Sequence, residues 1–334
     1  MPLGFGRDAC IFQPREYRVD VFAGTDRIEI IMTVPEQIET LASLGEEAVV
    51  KKLIGMLPEG PDVIAGPGDD CAVIDIGADR WQLLKTDSLI EGVHFLPGTD
   101  PVLVGRKAMN RVISDLAAMG GSPLHALVTL VVDSERDLRE ITGWYAGMVA
   151  AAGESHCRIV GGETSRLPQA GAVLSIAMTG FVRPEHCVFR HGAKIGDIIA
   201  VTGRLGGSFQ SGRHLTFSPR IAESHWLVEN AKPSAMMDLS DGLGSDLPRL
   251  VAASGRGYRV ESSTIPCHVG IPVVDAISEG EDYELLMTFS PAVFRAAEDR
   301  WKTIFPNTEL TAIGEITEST ETPLCRGWEH YRDD

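Results

Sequence analysis

GPGDDCAVID, residues 66–75, sets two adjacent aspartates in a glycine-rich turn that runs into an apolar strand. Asp and Gly are turn formers, so the stretch can be a plain connection between two elements. It can also be chemical, because a carboxylate on a tight turn is a hard oxygen ligand for Mg²⁺. Neighbouring side chains on an extended strand point to opposite faces, so Asp69 and Asp70 cannot serve one site equally.

The theme of strand, glycine and acid returns along the chain. IVGGETSR (159–166) carries Glu163, and MDLSDGLGSD (237–246) carries Asp238, Asp241 and Asp246. EGEDYELL (279–286) is a fourth acidic approach to a strand. Helical patterns lie between them. One helix follows Asp100, with Pro101 in its first turn, and stops at Gly120–Gly121. A second, SERDLREITGWYAGMVAAAG, is expected to be capped by Ser134 and to close at Gly153. LHALVTLVV (124–132) and AVLSIAMTGFV (172–182) read as strands. A second unit starts near Arg183, with DIIAVTG, YRVE, YELLMTF and TAIGEI as strands and GSDLPRLVAASG and PAVFRAAEDRWKTIF as helices. Both halves mix strands and helices, which sets the class as α/β (α+β). Residues 33–182 and 183–334 are the expected domains, with 1–32 a loose extension. Just beyond it, LGEEAVVKKLIGMLP reads as a helix with Val50, Leu53, Ile54 and Leu57 on one face, stopped by Pro58 and Gly60.

Asp115 stands out among the acids. Ala108, Val112 and Asp115 share one helical stripe, and an acid on an apolar stripe must be paired, protonated or metal-bound. The alternative is an i, i+4 ion pair with Arg111, of small worth. Asp87 closes a strand, where it either caps a turn or serves a site. Asp238 and Ser240 point one way on an extended segment. Asp241-Gly242 opens a helix whose N-terminus can take phosphate through its N–H groups. His94 alone reads as a structural histidine.

The 47 acidic and 30 basic residues leave a net charge of −17. Such a chain repels nucleic acid and anionic membrane on average. A phosphorylated substrate in an acidic site needs metal ions as a bridge. The 6 cysteines form no CxxC, which argues against a zinc site or a disulfide scaffold. No apolar run is long enough to span a bilayer, and the N-terminus lacks a continuous apolar signal region, so a cytoplasmic location is expected. No Walker A loop or G-x-G-x-x-G fingerprint is present.

GDDCAVID, KTDSLIEGVHFLPGTDP, ISDLAAMGG, VGGETSR, FRHGAKIGD, MDLSDGL and EGEDYELL follow one another in an order and spacing that resemble the thiamine-monophosphate kinases. That family sits in the aminoimidazole-ribonucleotide synthetase superfamily, and the resemblance covers about residues 40–331. It implies a two-domain aminoimidazole-ribonucleotide-synthetase-like fold whose N-terminal domains pair in a homodimer. It implies direct transfer of the ATP γ-phosphoryl to thiamine monophosphate, giving thiamine diphosphate and ADP, with several Mg²⁺ ions. Carried over by motif, Asp70, Thr86, Asp87, Asp115, Glu163, Asp238 and Asp241 would hold metal, with Asp115 and Asp87 at the catalytic centre. Gly162, Arg190 and Ser240 would contact ATP, and His94, Glu281 and Trp328 the thiamine phosphate. Asp69 would brace the turn. Phosphoryl transfer needs positioning and charge neutralisation more than a base, and the accepting phosphate oxygen is already ionised.

The chain departs from the family pattern at four places. Lys85 replaces a small residue, and its ammonium could displace a metal or bind phosphate. Val112 replaces asparagine, Glu163 replaces aspartate, and Gly206-Gly207-Ser208 replaces G-D-S. The alternatives are another ATP-dependent synthetase of the superfamily or a catalytically impaired nucleotide-binding paralogue.

Overall fold

The structure, a computed structural model, describes residues 16–23, 26–33, 39–58, 60–77, 79–320 and 322–327. Pro61–Trp328 forms one compact unit, and the residues before it belong to another. In that first unit β1 (Glu16–Ala23) pairs antiparallel with β2 (Asp26–Thr33), from Glu16↔Thr33 to Ala23↔Asp26. The expected loose extension therefore holds two strands. Their signal is the alternation of Tyr17, Val19 and Val21, then Ile28, Ile30 and Met32. Two helices follow, α1 (Leu41–Leu44) and α2 (Glu46–Ile54). Gly55 ends α2, ahead of the expected stop at Pro58.

The second unit begins with a six-stranded sheet. Its strands are β3 (Val63–Ala65), β4 (Ala72–Asp75), β5 (Trp81–Ile90), β6 (Ser122–Val132), β7 (Arg158–Arg166) and β8 (Ala172–Val182). They run in the order β3-β4-β5-β8-β6-β7. All neighbours are antiparallel except β6 and β7. That parallel pair needs a crossover, which is a helix. Two helices belong to this half, α3 (Pro101–Ala118) and α4 (Leu138–Glu154), and α4 makes the crossover. Asp100 caps α3 by accepting the Val102 N–H, with Pro101 next, as the sequence predicts. The cap of α4 is Asp137, not Ser134: its carboxylate accepts the Arg139 N–H at 2.8 Å.

Leu83 and Leu89 of β5, Val128 and Leu130 of β6, and Leu174, Ile176 and Met178 of β8 form a core with Met109, Val112, Ile113 and Leu116 of α3. Helix α3 is buried on nearly every side from Val104 onward, because α4 covers it as well. Reciprocal glycines let the two helices meet. A Cβ on Gly105 would fall 1.9 Å from the Trp144 carbonyl oxygen, and one on Gly147 would fall 1.9 Å from that of Val102.

The second half is a five-stranded antiparallel sheet with helices on both faces. Its strands and helices run β9 (Ile198–Thr202), α5 (Ile221–Asn230), β10 (Ala235–Asp238), α6 (Leu243–Ala253), β11 (Gly257–Val260), α7 (Val273–Ser278), β12 (Leu285–Phe289), α8 (Pro291–Ile304) and β13 (Leu310–Thr317). The strand order is β10-β12-β9-β13-β11. Ile199, Val201 and Met237 face α6 and α7, while Ala200 and Met236 face α5 and α8. Coverage on both faces explains why LLMTF is buried at every position and reads as a continuous apolar run.

Candidate active site

One turn, one helix and one strand end bring acids together. Asp70 follows Gly68, whose φ of 127° only glycine adopts readily, and precedes β4. Asp115 lies on the last turn of α3, and Asp238 ends β10. Carboxylate oxygens of Asp70, Asp115 and Asp238 all lie within 4.8 Å of one another, and all three residues are buried. Buried like charges this close disfavour ionisation. Burial, then the nearby Asp238, Asp70 and Asp87, pushes Asp115 well above the usual carboxylate range, against the pull of Lys85. Burial and Asp70 raise Asp238 to about 7.

Two cations and a hydroxyl answer part of this charge. Lys85 Nζ lies 2.7 Å from Asp115 Oδ1. The Arg190 guanidinium binds Asp70 Oδ1. Ser114 Oγ donates to Asp238 Oδ2 at 2.7 Å. The second Asp70 oxygen, Oδ2, is buried with no hydrogen-bond partner. Three hard oxygen donors, one with an unused lone pair, fit a divalent cation such as Mg²⁺. Asp69 turns away, and its Oδ1 accepts the Arg190 backbone N–H at 2.6 Å.

A second group shapes the loop after β10. Asp246, buried on α6, accepts the N–H groups of Ser240 and Asp241, both at 3.0 Å, through Oδ2. Arg249 pairs with Asp246 at 2.9 Å and with Asp241 at 2.5 Å. The Asp241 carboxylate is thus held on α6 rather than beside Asp70.

A third group joins β5, α3 and the loop before β12. Arg111 Nε lies 2.9 Å from Asp87 Oδ2, and its Nη1 lies 4.0 Å from Glu281 Oε1. The expected Arg111–Asp115 alternative is therefore not formed, because Lys85 reaches Asp115 from β5. Lys107, 0% exposed, donates to the His94 carbonyl at 2.6 Å and meets His214 Nδ1 at 2.7 Å. It also pairs with Glu281. Burial works against the Glu281 charge, yet the His214 hydrogen bond, Lys107 and Arg111 together hold its carboxyl down to about 2. Burial lowers Lys107 to about 8 and His94 to about 4. His94 Nδ1 accepts the Ile90 N–H at 3.0 Å, which suits a neutral ring. Glu281 and Tyr283 have φ of 66° and 52°, a region non-glycine residues rarely occupy. Bonds from their N–H groups to the carbonyls of Ser240 and Leu239, at 2.7 and 2.8 Å, hold them there.

The other acids of EGEDYELL have structural partners. Glu279 and Asp282 accept the N–H groups of Gly207 and Gly206, and Thr202 Oγ1 donates to Glu284 at 2.7 Å.

Asp70, Asp115 and Asp238 come together, with Arg190 and Asp87 close by through their ion pairs and charges. Thr86 does not bring its side chain: alternation puts Lys85 and Asp87 on the α3 side of β5 and leaves Thr86 on the open side. Glu163 is exposed on β7, three strands from β5, or about 14 Å at the usual strand spacing. Its carboxylate accepts Ser165 Oγ at 2.9 Å and is not in the cluster. Gly162 lies on the same strand, where a Cβ would fall 1.8 Å from the Val128 carbonyl oxygen. Trp328 lies outside the described residues. Sequence reasoning missed Lys107, Arg111 and His214 as members of the site. Lys107 directly follows Arg106, and Asn110 and Arg111 come just after it, so no isolated charge marked it in the sequence.

The profile of AIR synthase related proteins, N-terminal domain, matches residues 68–182, and that of the C-terminal domain matches residues 194–324. These segments hold β4 to β8 and β9 to β13, so fold and site define a two-domain protein of the AIR synthase class. The thiamine-monophosphate kinase of Rhodopirellula baltica is 37% identical over 265 residues, 74% of this chain and 82% of that relative. That of Salmonella typhimurium is 35% identical over 266 residues, 71% of this chain and 80% of the relative. A solved structure of AaThiL complexed with AMPPCP and TMP superposes with a TM-score of 0.76 at 29% identity, covering 88% of this chain and 99% of that one. The chain belongs to the thiamine-monophosphate kinase family.

Proposed function

We propose that the chain transfers the γ-phosphoryl of ATP directly to thiamine monophosphate, giving thiamine diphosphate and ADP. The observation that carries this reading is the buried Asp70–Asp115–Asp238 cluster with an unpartnered Asp70 oxygen, in a chain 37% identical to a thiamine-monophosphate kinase. Asp70, Asp115 and Asp238 would hold Mg²⁺, with Asp87 and Asp241 as neighbours for further ions. Bound Mg²⁺ supplies charge neutralisation between the two phosphates that must approach each other.

The chain's own residues orient the reactants. Arg190, fixed on Asp70, presents a cation to the ATP phosphates, with Ser240 and Gly162 as further nucleotide contacts. Glu281 stays ionised near neutral pH and faces the cationic thiazolium of thiamine monophosphate, with His94 and Trp328 as further substrate contacts. Lys107 and Arg111 fix Glu281 in place. The open side of the six-stranded sheet exposes Leu84, Leu127 and Val160 around a pocket of about 600 Å³, which supports pairing of two copies there as a homodimer. Among the described residues no helix is long and apolar enough to cross a membrane, and an ATP-consuming reaction fits the cytoplasm.

ADP release with Mg²⁺ and each of thiamine monophosphate, thiamine and an aminoimidazole precursor tests the reading. Release with thiamine monophosphate alone is expected. Release only with another acceptor, or ATP binding with no ADP formed, contradicts it.

A further inference from the structure

The cluster contains more positive charge than a site for metal alone requires. Its three carboxylates meet two fixed cations, Lys85 from β5 and Arg190 from the loop after β8. The two differ in placement. Arg190 is bound to one carboxylate, and Asp69 also anchors its backbone. Lys85 lies 2.7 Å from Asp115 with its ammonium on the α3 side of the sheet. An ammonium is a compact point charge with three donors, so it can meet carboxylates as a cation does, without coordination geometry.

We propose that Lys85 is a built-in cation that stands in for one divalent ion at the Asp70–Asp115–Asp238 cluster, so that this chain binds one ion fewer than its carboxylates would otherwise take. The inference rests on the metal reading of the cluster and not on the identity of the phosphate acceptor. The 2.7 Å ion pair with Asp115 holds the ammonium inside the cluster. The unpartnered Asp70 Oδ2 remains as the donor for an exchangeable ion.

Counting Mn²⁺ by the loss of its free electron-spin-resonance signal tests this, with the wild-type chain, Lys85→Ser and Lys85→Arg each saturated with a non-hydrolysable ATP analogue. Lys85→Ser is expected to bind one more Mn²⁺ per chain than wild type, and Lys85→Arg the wild-type number. Equal counts for wild type and Lys85→Ser overturn the proposal. Serine leaves the Asp115 charge without its partner, so Lys85→Ser is also refolded and counted with Mn²⁺ present, and its melting temperature is followed as Mn²⁺ is added. A larger Mn²⁺-dependent rise than in wild type is expected, and an equal rise overturns the proposal. ADP formation by the wild-type chain is scored separately. Its absence would remove the kinase reading while leaving the metal count intact.

Discussion

Asp69 Oδ1 accepts the backbone N–H of Arg190 at 2.6 Å, while the neighbouring Asp70 binds the guanidinium of the same residue. Two adjacent acids thus hold one arginine by two different groups, and only Asp70 keeps an oxygen in the carboxylate cluster. Substituting each by asparagine separates the roles. Asp70→Asn is expected to lower kcat by about 10²–10³-fold, the scale for losing one charge-stabilising group. Asp69→Asn keeps an acceptor for the Arg190 N–H and is expected to cost about 10-fold or less. Equal losses in steady-state turnover would contradict the asymmetry.

The pH dependence of the metal-free chain follows from Asp238. Burial raises its folded value to about 7, above the ordinary carboxylate value near 4. A raised folded value gives stability that is present at low pH and lost as pH climbs through about 7. In EDTA the melting temperature is therefore expected to fall from about pH 4 to about pH 7 and to level off above that. Added Mg²⁺ should restore it and release protons on binding near pH 7. A flat profile in EDTA would contradict this.

Lys107 is buried among the His94 carbonyl, His214 and Glu281. Lys107→Met keeps the volume but leaves the Glu281 charge short of a partner. Breaking a buried pair in this way costs about 3–5 kcal/mol. Denaturant unfolding is expected to show a loss on that scale, and a loss below about 1 kcal/mol would exclude a paired lysine.

The close crossing of α3 and α4 is a steric requirement. Gly105→Ala places a methyl 1.9 Å from the Trp144 carbonyl oxygen, so the helices must separate. Overpacking of this kind costs about 1–3 kcal/mol or more. A lower melting temperature is expected, together with lower turnover, because α3 carries Asp115. An unchanged melting temperature would mean that the helices part freely.

Much of the site was legible because its acids follow local patterns. Asp115 lies on an apolar stripe and Asp70 in a glycine turn, and these patterns follow from helix and strand periods alone. Partner choice was not legible, since it depends on which elements meet. Arg111 is one turn from Asp115 in sequence, yet it pairs with Asp87 because β5 runs beside α3 and brings Lys85 to Asp115 first. Thr86 and Asp87 are neighbours in sequence, but strand alternation sends their side chains to opposite faces of the sheet. Glu163 repeats the glycine-acid theme on an edge strand, and only the sheet order reveals its distance from β5. The alternating residues of β1 and β2 did carry a strand signal, although residues 1–32 show no clear period as a whole and read as a loose extension.

The fate of the γ-phosphoryl tests the central claim most directly. ATP labelled with ³²P at the γ position is incubated with the chain, Mg²⁺ and thiamine monophosphate, and the products are separated. The account predicts that the label appears in thiamine diphosphate in step with ADP. Label found only in inorganic phosphate, with thiamine monophosphate unchanged, would contradict it.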